Sequence, residues 1–191
     1  ANAGYEVELL DRVDPKNPDN RNGISQGAID KMVATKGNQQ PFMHKKNARK
    51  VRAGNTEDNL DRLKECDIII EAVFEDPKVK SDIFKKIDAN RKPGSIVASN
   101  TSTIPLDNLI PAQSEQFKKD FVITHFFNPP RYMHLVELIT SKHNSPETVA
   151  EVTRFMDEKL GKGVVPCNDT PGFIANRIGT FWIQCSINEA F

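Results

Sequence analysis

The sequence predicts an α/β fold with a mostly parallel sheet, and three neighbouring features indicate it. Asp67 opens a continuous apolar run that contains one acid, which is typical of a parallel strand buried on both faces. Asp76 and Pro77 are the residue types that cap and begin a helix, which we expect to reach about Asn90. Because a further strand is expected at 95–99, the order strand, helix, strand predicts a right-handed crossover and hence parallel strands.

The elements before this unit are predicted to be a strand, a loop and a helix. The chain opens on what resembles the last turn of a helix that ends at Gly4. Residues 5–10 predict a strand with Asp11 at its carboxyl end. Residues 12–23 are rich in Pro, Asn and Asp, which predicts a loop. A helix is expected to follow at 25–36.

The elements after it continue the alternation of strands and helices. In chain order they are a short helix at 105–110, strands at 121–124 and 134–139, a helix at 145–160 closed by Gly161, and a strand at 163–167. Asp169 or Thr170, followed by Pro171, is expected to begin a last helix that runs to about Phe191. We therefore expect one domain at 1–168 and, at 169–191, the start of an all-α second domain.

Asp11 indicates that the first domain is a Rossmann-like dinucleotide-binding domain. In that fold an acid at the end of the second strand hydrogen-bonds the adenosine ribose and favours NAD over NADP. The glycine-rich phosphate loop lies about 20 residues before this acid, and no G-x-G-x-x-G occurs in the chain. We therefore expect a fragment that lacks the first strand and leaves its neighbours with an unpaired edge.

Composition argues against several other classes of protein. Lys plus Arg and Asp plus Glu both number 26, so the net charge is zero and gives no general attraction to nucleic acid or an anionic membrane. No apolar stretch approaches the roughly 20 residues of a membrane span. Three scattered cysteines are too few for a disulfide framework or a zinc site, which favours a reducing, cytoplasmic compartment. No metal-ligand spacing occurs around the remaining histidines, His44, His134 and His143.

The segment 125–137 holds the strongest candidates for catalysis. The two predicted strands at 121–124 and 134–139, joined by a Pro-broken turn, can bring His125 next to Glu137. A carboxylate that orients a histidine and stabilises its charged form produces a general base or acid near neutral pH. For an arbitrary histidine and glutamate the commoner alternative is a partly buried turn residue and a strand-edge acid.

Three motifs in register resemble the L-3-hydroxyacyl-CoA dehydrogenases of fatty-acid β-oxidation. They are Ser-Asn-Thr-Ser at 99–102, His-Phe-Phe-Asn-Pro at 125–129 and Asp-Thr-Pro-Gly-Phe-Ile-Ala-Asn-Arg at 169–177. The resemblance runs with correct spacing from about Ala1 to the end of the chain. The segment 36–59 is most similar to large fused bacterial versions, which also carry an enoyl-CoA hydratase domain.

The resemblance implies oxidation of the 3-hydroxyl of an acyl-CoA thioester to a ketone, with hydride transfer to NAD⁺. His125 matches the family's general base, and Glu137 matches its partner. Ser102 and Asn176 match residues that hydrogen-bond the reacting oxygen, a role that suits donors which do not ionise. The resemblance also implies a homodimer through the helical second domain.

The resemblance extends to cofactor contacts, each of which has a plainer alternative. Glu75, Lys80 and Asn100 match cofactor-contacting positions, and Asn128 matches a residue beside the nicotinamide. Glu75 and Lys80 could instead be solvated charges, and Asn128 could be a turn residue before Pro129. The corresponding alternatives for the substrate residues are a turn or cap hydroxyl at Ser102 and a surface amide at Asn176. Cys167 is expected to be a packing residue rather than a nucleophile.

Two other functions stay open at this point. One is a non-catalytic or truncated relative, because a fragment would bind NAD weakly and be poorly active. The other is a sister dehydrogenase of a 3-hydroxy sugar acid, since the four candidate catalytic residues suit several 3-hydroxy substrates. The basic stretch 44–52 is expected to be a solvated helix face, with attraction of coenzyme A phosphates as the alternative. It lacks the interleaved aromatic residues of a nucleic-acid site.

Overall fold

The structure, a computed structural model, describes residues 1–190. The chain divides into two compact units, Ala1–Glu65 and Cys66–Phe191. Phe191, where the predicted last helix and second domain end, lies outside the described residues. The predicted α/β class is confirmed, because parallel strands alternate with helices in both units.

The first unit contains two parallel strands connected through a helix. Its elements are β1 (Val7–Asp11), α1 (Gly23–Ala34), a 3₁₀ helix at Gly37–Gln39, a second at Lys45–Lys50, β2 (Val51–Asn55) and a third 3₁₀ helix at Leu60–Glu65. β1 and β2 pair in parallel with Asp11 opposite Asn55, and α1 packs on both strands. The predicted strand, loop and helix are therefore confirmed in order.

One local expectation in this unit stays a prediction, and one is wrong. Residues 1–4 form a turn closed by the Gly4 N–H on the Ala1 carbonyl at 3.0 Å, with Gly4 at a φ of 94°, the left-handed conformation common at the end of a helix. The basic stretch 44–52 is a 3₁₀ helix followed by the start of β2, not one helix face. The strand forms because pairing with β1 satisfies its backbone, although its own sequence has little apolar character.

The second unit is built on a five-stranded sheet in the order β3-β4-β5-β6-β7. The strands are β3 (Ile68–Glu71), β4 (Ile96–Ser99), β5 (Phe121–Phe126), β6 (Leu135–Ile139) and β7 (Gly163–Cys167). Only the β5–β6 pair is antiparallel among these strands, as expected for two strands joined by a short turn. The sheet is thus mostly parallel, and its one antiparallel hairpin carries residues 125–137.

Five helices accompany this sheet within the described residues. They are α2 (Pro77–Asn90), α3 (Leu106–Leu109), α4 (Glu115–Asp120), α5 (Pro146–Arg154), which continues as a π-helical turn at Phe155–Lys159, and α6 (Ala175–Ala190). α2 begins as predicted, because the Asp76 carboxylate accepts the N–H groups of Lys78 and Val79, each at 2.9 Å. α4 was not predicted.

The last helix begins later than the sequence predicts. Residues 171–174 are turns, because Gly172 and Phe173 both take positive φ values of 76° and 49° and interrupt any helix there. Asp169, a predicted cap of this helix, instead accepts the N–H groups of Leu106 and Asp107 at 2.7 and 3.2 Å and so caps α3.

The core of the second unit lies on the two faces of its sheet. On one face Phe84, Phe117 and Phe121 pack with ring centroids 5.0–5.6 Å apart. On the other face an apolar cluster covers β4 to β6 and reaches β3 only through Ile68. Consequently Ile70 is 45% exposed, and the prediction that β3 is buried on both faces is wrong there. Within residues 1–190, β1 and β2 form a two-stranded sheet, and β3 and β7 are the outer strands of the five-stranded one.

Candidate functional site

His125 and Glu137 lie directly opposite each other on the antiparallel strands β5 and β6. Side chains of directly opposed residues share one face of a sheet, so the 12 intervening positions separate two groups that are in contact. The His125 Nδ1 is 2.7 Å from Glu137 Oε2, and both side chains are buried. With Glu137 as a carboxylate, this hydrogen bond places the proton on Nδ1 and leaves the Nε2 lone pair available.

The second carboxylate oxygen of Glu137 is occupied by the start of α6. Oε1 accepts the N–H groups of Ile174 and Ala175 at 3.0 and 2.8 Å. Those two amides, one just before α6 and one at its first residue, lie at the N-terminus of the helix, where N–H groups lack partners within the helix and a negative charge is favourable. Glu137 therefore has three donors, which fix its orientation and hold α6 against β6.

Two aromatic rings enclose the His125 imidazole. Phe127 and Phe173 lie with ring centroids 4.6 and 5.7 Å from it, and Phe173 is almost fully buried. The rings restrict rotation of the imidazole and exclude water from its sides. Both phenylalanines belong to the motifs at 125–129 and 169–177, but they could not be assigned to the site from the sequence, because an apolar residue in a motif is usually a packing residue.

Ser102 and Asn176 are also brought together. Asn176, on the first turn of α6, donates from Nδ2 to the Ser102 carbonyl oxygen at 3.2 Å. Ser102 lies in the irregular loop after β4, and its N–H donates to Glu75 Oε1 at 3.3 Å. Since Asn176 directly follows Ala175, the residue bound by Glu137, the start of α6 connects the Ser102 loop with the His125 pair.

Asn100 and Asn128 occupy two different settings near these strands. Asn100 joins β3 to β5, because its N–H donates to the Glu71 carbonyl at 2.8 Å and its Oδ1 accepts the Phe126 N–H at 3.1 Å. Asn128 is exposed in the loop between β5 and β6, at a cis peptide bond before Pro129. This position is that of a turn residue before Pro129, which was the alternative to a cofactor contact, and it leaves the Asn128 side chain accessible.

Lys80 is fully buried, so the alternative that it is a solvated charge is wrong. Its Nζ lies 2.8 Å from Glu71 Oε1 and 3.2 Å from Glu75 Oε2. Glu75 itself is 38% exposed at its side chain. Although partial burial opposes it, hydrogen bonds from Thr101 and Lys80 hold the pKa of Glu75 below its usual value.

Asp11 stands at the carboxyl end of β1 in the first unit, as predicted. It is exposed, and its Oδ1 accepts the N–H of the adjacent Arg12 at 2.7 Å. Its backbone carbonyl accepts the Thr56 N–H at 2.9 Å, which fixes the end of the strand beside the neighbouring loop. An exposed carboxylate at the end of a parallel strand is available to hydroxyl donors of a ligand.

A metal site, a membrane span and a reactive thiol were searched for among residues 1–190. No group of three or more His, Cys, Asp or Glu residues within 1–190 could hold a metal ion. None of the helices described is long and apolar enough to cross a membrane. Burial, together with the nearby Glu137 charge, raises the pKa of the Cys167 thiol to about 11. The thiol therefore stays protonated at neutral pH, which agrees with a packing role.

Comparison with known proteins gives matches along almost the whole chain. Residues 1–170 match the family described as 3-hydroxyacyl-CoA dehydrogenase, NAD binding domain. The chain is 43% identical over 183 residues to a probable 3-hydroxyacyl-CoA dehydrogenase of Deinococcus radiodurans, covering 96% of this chain and 52% of that protein. It is 41% identical over 190 residues to a putative fatty acid oxidation complex trifunctional enzyme of Rickettsia prowazekii, covering 100% of this chain and 26% of that protein.

A solved structure shows the same fold. The crystal structure of a 3-hydroxyacyl-CoA dehydrogenase from Archaeoglobus fulgidus superposes with a TM-score of 0.76 at 27% identity, covering 99% of this chain and 57% of that one. The chain thus spans about half the length of the Deinococcus protein and about a quarter of the Rickettsia protein.

Proposed function

The chain belongs to the family of 3-hydroxyacyl-CoA dehydrogenase NAD-binding domains, and we propose that its parent protein oxidises the 3-hydroxyl of an L-3-hydroxyacyl-CoA to the ketone in fatty-acid β-oxidation. The observation that carries the proposal is the buried hydrogen bond of 2.7 Å between His125 Nδ1 and Glu137 Oε2. It leaves one imidazole nitrogen as a base in an enclosed, partly apolar setting. Such a base is what the loss of a hydroxyl proton requires.

In the proposed mechanism His125 Nε2 accepts the proton of the substrate 3-hydroxyl. The Nδ1–H stays hydrogen-bonded to Glu137, and the charge of that carboxylate stabilises the imidazolium that forms. NAD⁺, when bound, would supply the acceptor for the C3 hydrogen as a hydride, so that the alcohol loses one proton to His125 and one hydride. Ser102 and Asn176 are proposed to donate to the substrate oxygen. The contact between them at 3.2 Å supports a shared role, because it holds both at one place in the fold.

The residues present fit the cofactor. Asp11 is proposed to accept the adenosine ribose hydroxyls, which its exposure and its place at the end of a parallel strand support. Asn100 and Asn128 are proposed as further contacts, and the accessible amide of Asn128 suits one beside the nicotinamide. Glu75 is 38% exposed and stays a candidate contact. Lys80 matches a cofactor-contacting position and stays a candidate contact, with its buried Nζ held between Glu71 and Glu75.

Asp11→Ala is expected to weaken NADH binding about 10- to 100-fold, because hydrogen bonds to a charged acceptor contribute about 1.5–3 kcal/mol. Titration of NADH fluorescence with the parent protein measures the dissociation constant. Glu6→Ala is the matched control, since it removes an exposed acid directly before the start of the same strand. An unchanged affinity in Asp11→Ala would contradict the proposed ribose contact.

The reaction is tested by NADH oxidation driven by acetoacetyl-CoA, using the parent protein. Turnover would support the dehydrogenase. If the folded protein binds NADH but shows no turnover, the proposal fails, and the sister enzyme and the non-catalytic relative become the explanations. Oxidation of a 3-hydroxy sugar acid would then separate those two.

The boundary between the two expected domains is also a proposal. We propose that residues 1–168 form the NAD-binding domain and that a helical second domain begins at 169. The exposed apolar side chains of α6 support this, because such a surface is normally covered by another element or chain. They are Ile178, Phe181, Trp182, Ile183 and Ile187. A homodimer, a fused enoyl-CoA hydratase domain and a cytoplasmic location stay predictions from the sequence.

A further inference from the structure

A buried lysine lies beside the β5–β6 loop, residues 127–134. Lys162 is 7% exposed, and its Nζ lies 2.7 Å from the Met133 carbonyl oxygen and also contacts that of Pro130. The ammonium group stands over the Phe126 ring, 6.0 Å from its centroid. Buried cations are normally paired with a carboxylate. Among the described residues, the groups that hold this one are two loop carbonyls and an aromatic ring.

The backbone of Lys162 is fixed outside the loop that its side chain contacts. Its N–H donates to the Met156 carbonyl at 2.9 Å. Gly161, directly before it, takes a φ of 66°, which turns the chain out of the preceding helix. Gly163, the first residue of β7, donates its N–H to the His134 carbonyl at 3.0 Å. The ammonium group is therefore held in place by a helix end on one side and by the sheet on the other.

The β5–β6 loop contains one turn that Lys162 is placed to stabilise. The N–H groups of Tyr132 and Met133 both donate to the Pro129 carbonyl at 3.0 Å, which closes the turn. Carbonyl groups at the carboxyl end of such a turn need donors from outside it, and a lysine there is favourable. Lys162 supplies those donors to Pro130 and Met133. Burial lowers the pKa of its ammonium group, which these contacts oppose by favouring the charged form.

Asn128 lies between this turn and the end of β5. On the strand side, the Phe126 N–H donates to Asn100 Oδ1 at 3.1 Å, so the backbone that leads into the loop is fixed. On the other side Asn128 directly precedes Pro129, the residue whose carbonyl closes the turn. The exposed side chain of Asn128 thus depends for its placement on the turn that Lys162 contacts.

We propose that Lys162 is a positioning residue, whose ammonium group fixes the turn at 129–133 and thereby places Asn128 for its contact with the cofactor. The step from Lys162 to the turn follows from the contacts between them. The step from the turn to the cofactor rests on the proposed function, because it takes Asn128 to lie beside the nicotinamide. The two steps have separate tests.

The decisive variant is Lys162→Met. Methionine has a similar length and adapts to the same space beside Phe126, so the change removes the charge and the donors without leaving a large cavity. Residues 129–134 are exposed, so water can reach the two carbonyls and the variant should fold. Lys159→Met is the matched control, since it makes the same change at an exposed lysine three residues earlier.

Hydrogen exchange in the parent protein tests the first step. Exchange at the Tyr132 and Met133 amides should be about 10-fold faster or more in Lys162→Met, because hydrogen bonds from a charged donor hold the turn closed. Lys159→Met should leave it unchanged. This readout needs neither turnover nor bound cofactor. Unchanged exchange in Lys162→Met would overturn the inference whatever the activity.

NADH binding tests the second step. Lys162→Met and Asn128→Ala should each lower NADH affinity about 3- to 10-fold, the effect of losing one hydrogen bond. Each should also shift the fluorescence emission of bound NADH toward that of free NADH. Combining the two changes should cause no further loss, because residues that act through one another are not additive. Additive losses, or unchanged affinity and emission in Lys162→Met, would overturn the proposal.

Turnover of acetoacetyl-CoA by the unmodified protein separates this inference from the proposed function. If that protein binds NADH without turnover, the proposed function fails, yet exchange and NADH affinity still decide the role of Lys162. If it turns over and Lys162→Met changes neither exchange nor NADH affinity, the inference fails and the proposed function stands.

Discussion

Replacing His125 by glutamine is expected to lower kcat of the parent enzyme about 10²- to 10⁴-fold, the usual contribution of a positioned general base. Glutamine has a similar length and can keep a hydrogen bond to Glu137, but its amide cannot accept a proton near neutral pH. The enclosing rings of Phe127 and Phe173 leave little room for water to replace the lost base. The loss should therefore appear in the chemical step.

The measurement is the rate of NADH oxidation at saturating acetoacetyl-CoA, with NADH affinity determined in parallel. His143→Gln makes the same substitution in the loop between β6 and α5 and should retain full activity. NADH affinity should also stay the same in His125→Gln. Retention of most of the turnover by His125→Gln would remove His125 from the role of base.

The parts of the fold that sequence reasoning predicted are those where local chemistry and the final structure agree. Asp76 and Pro77 mark the start of α2 because a cap acts within a few residues of itself. The pairing of His125 with Glu137 followed from two strands joined by a short turn, since such strands must be antiparallel neighbours. The place of Asp11 could also be predicted from the sequence, because it depends only on where its own strand ends.

The parts that were missed depend on contacts between distant segments. β2 is a strand because β1 lies beside it, which its own residues, Val-Arg-Ala-Gly-Asn, do not indicate. For Lys80 the sequence left a cofactor contact and a solvated charge open, and its burial depends on Glu71 at the end of β3 and Glu75 in the loop that follows. The late start of α6 depends on positive φ values at Gly172 and Phe173, and the second of these is rare for a bulky residue.

Glu137 both orients the His125 imidazole and attaches the start of α6 to β6. One oxygen orients the imidazole, and the other accepts the Ile174 and Ala175 amides at the start of α6. Through the next residue, Asn176, the same helix start contacts the Ser102 loop. A change at Glu137 should therefore act on the tautomer of His125 and on the attachment of α6, and the two effects can be separated by the choice of substitution.

Glu137→Gln is expected to lower kcat about as much as His125→Gln, with little change in the melting temperature. The glutamine Oε1 can still accept both helix amides, which leaves its NH₂ group facing His125 Nδ1. Nδ1 must then accept a hydrogen bond, so the proton moves to Nε2, and the nitrogen facing the substrate can no longer act as a base. Substitutions that reverse a catalytic tautomer in this way cost about 10⁴-fold in the serine proteases.

Glu137→Ala should cause the same loss of activity and also a loss of stability. It leaves two amides and an imidazole without their buried acceptor, at a cost of about 2–4 kcal/mol, which for a chain of this size lowers the melting temperature by roughly 5–15 °C. Thermal unfolding and kcat of both variants test this together. Combining His125→Gln with Glu137→Gln should lower kcat no further than either change alone, because the pair acts as a unit. Near-normal turnover in Glu137→Gln would show that the carboxylate serves only to attach α6.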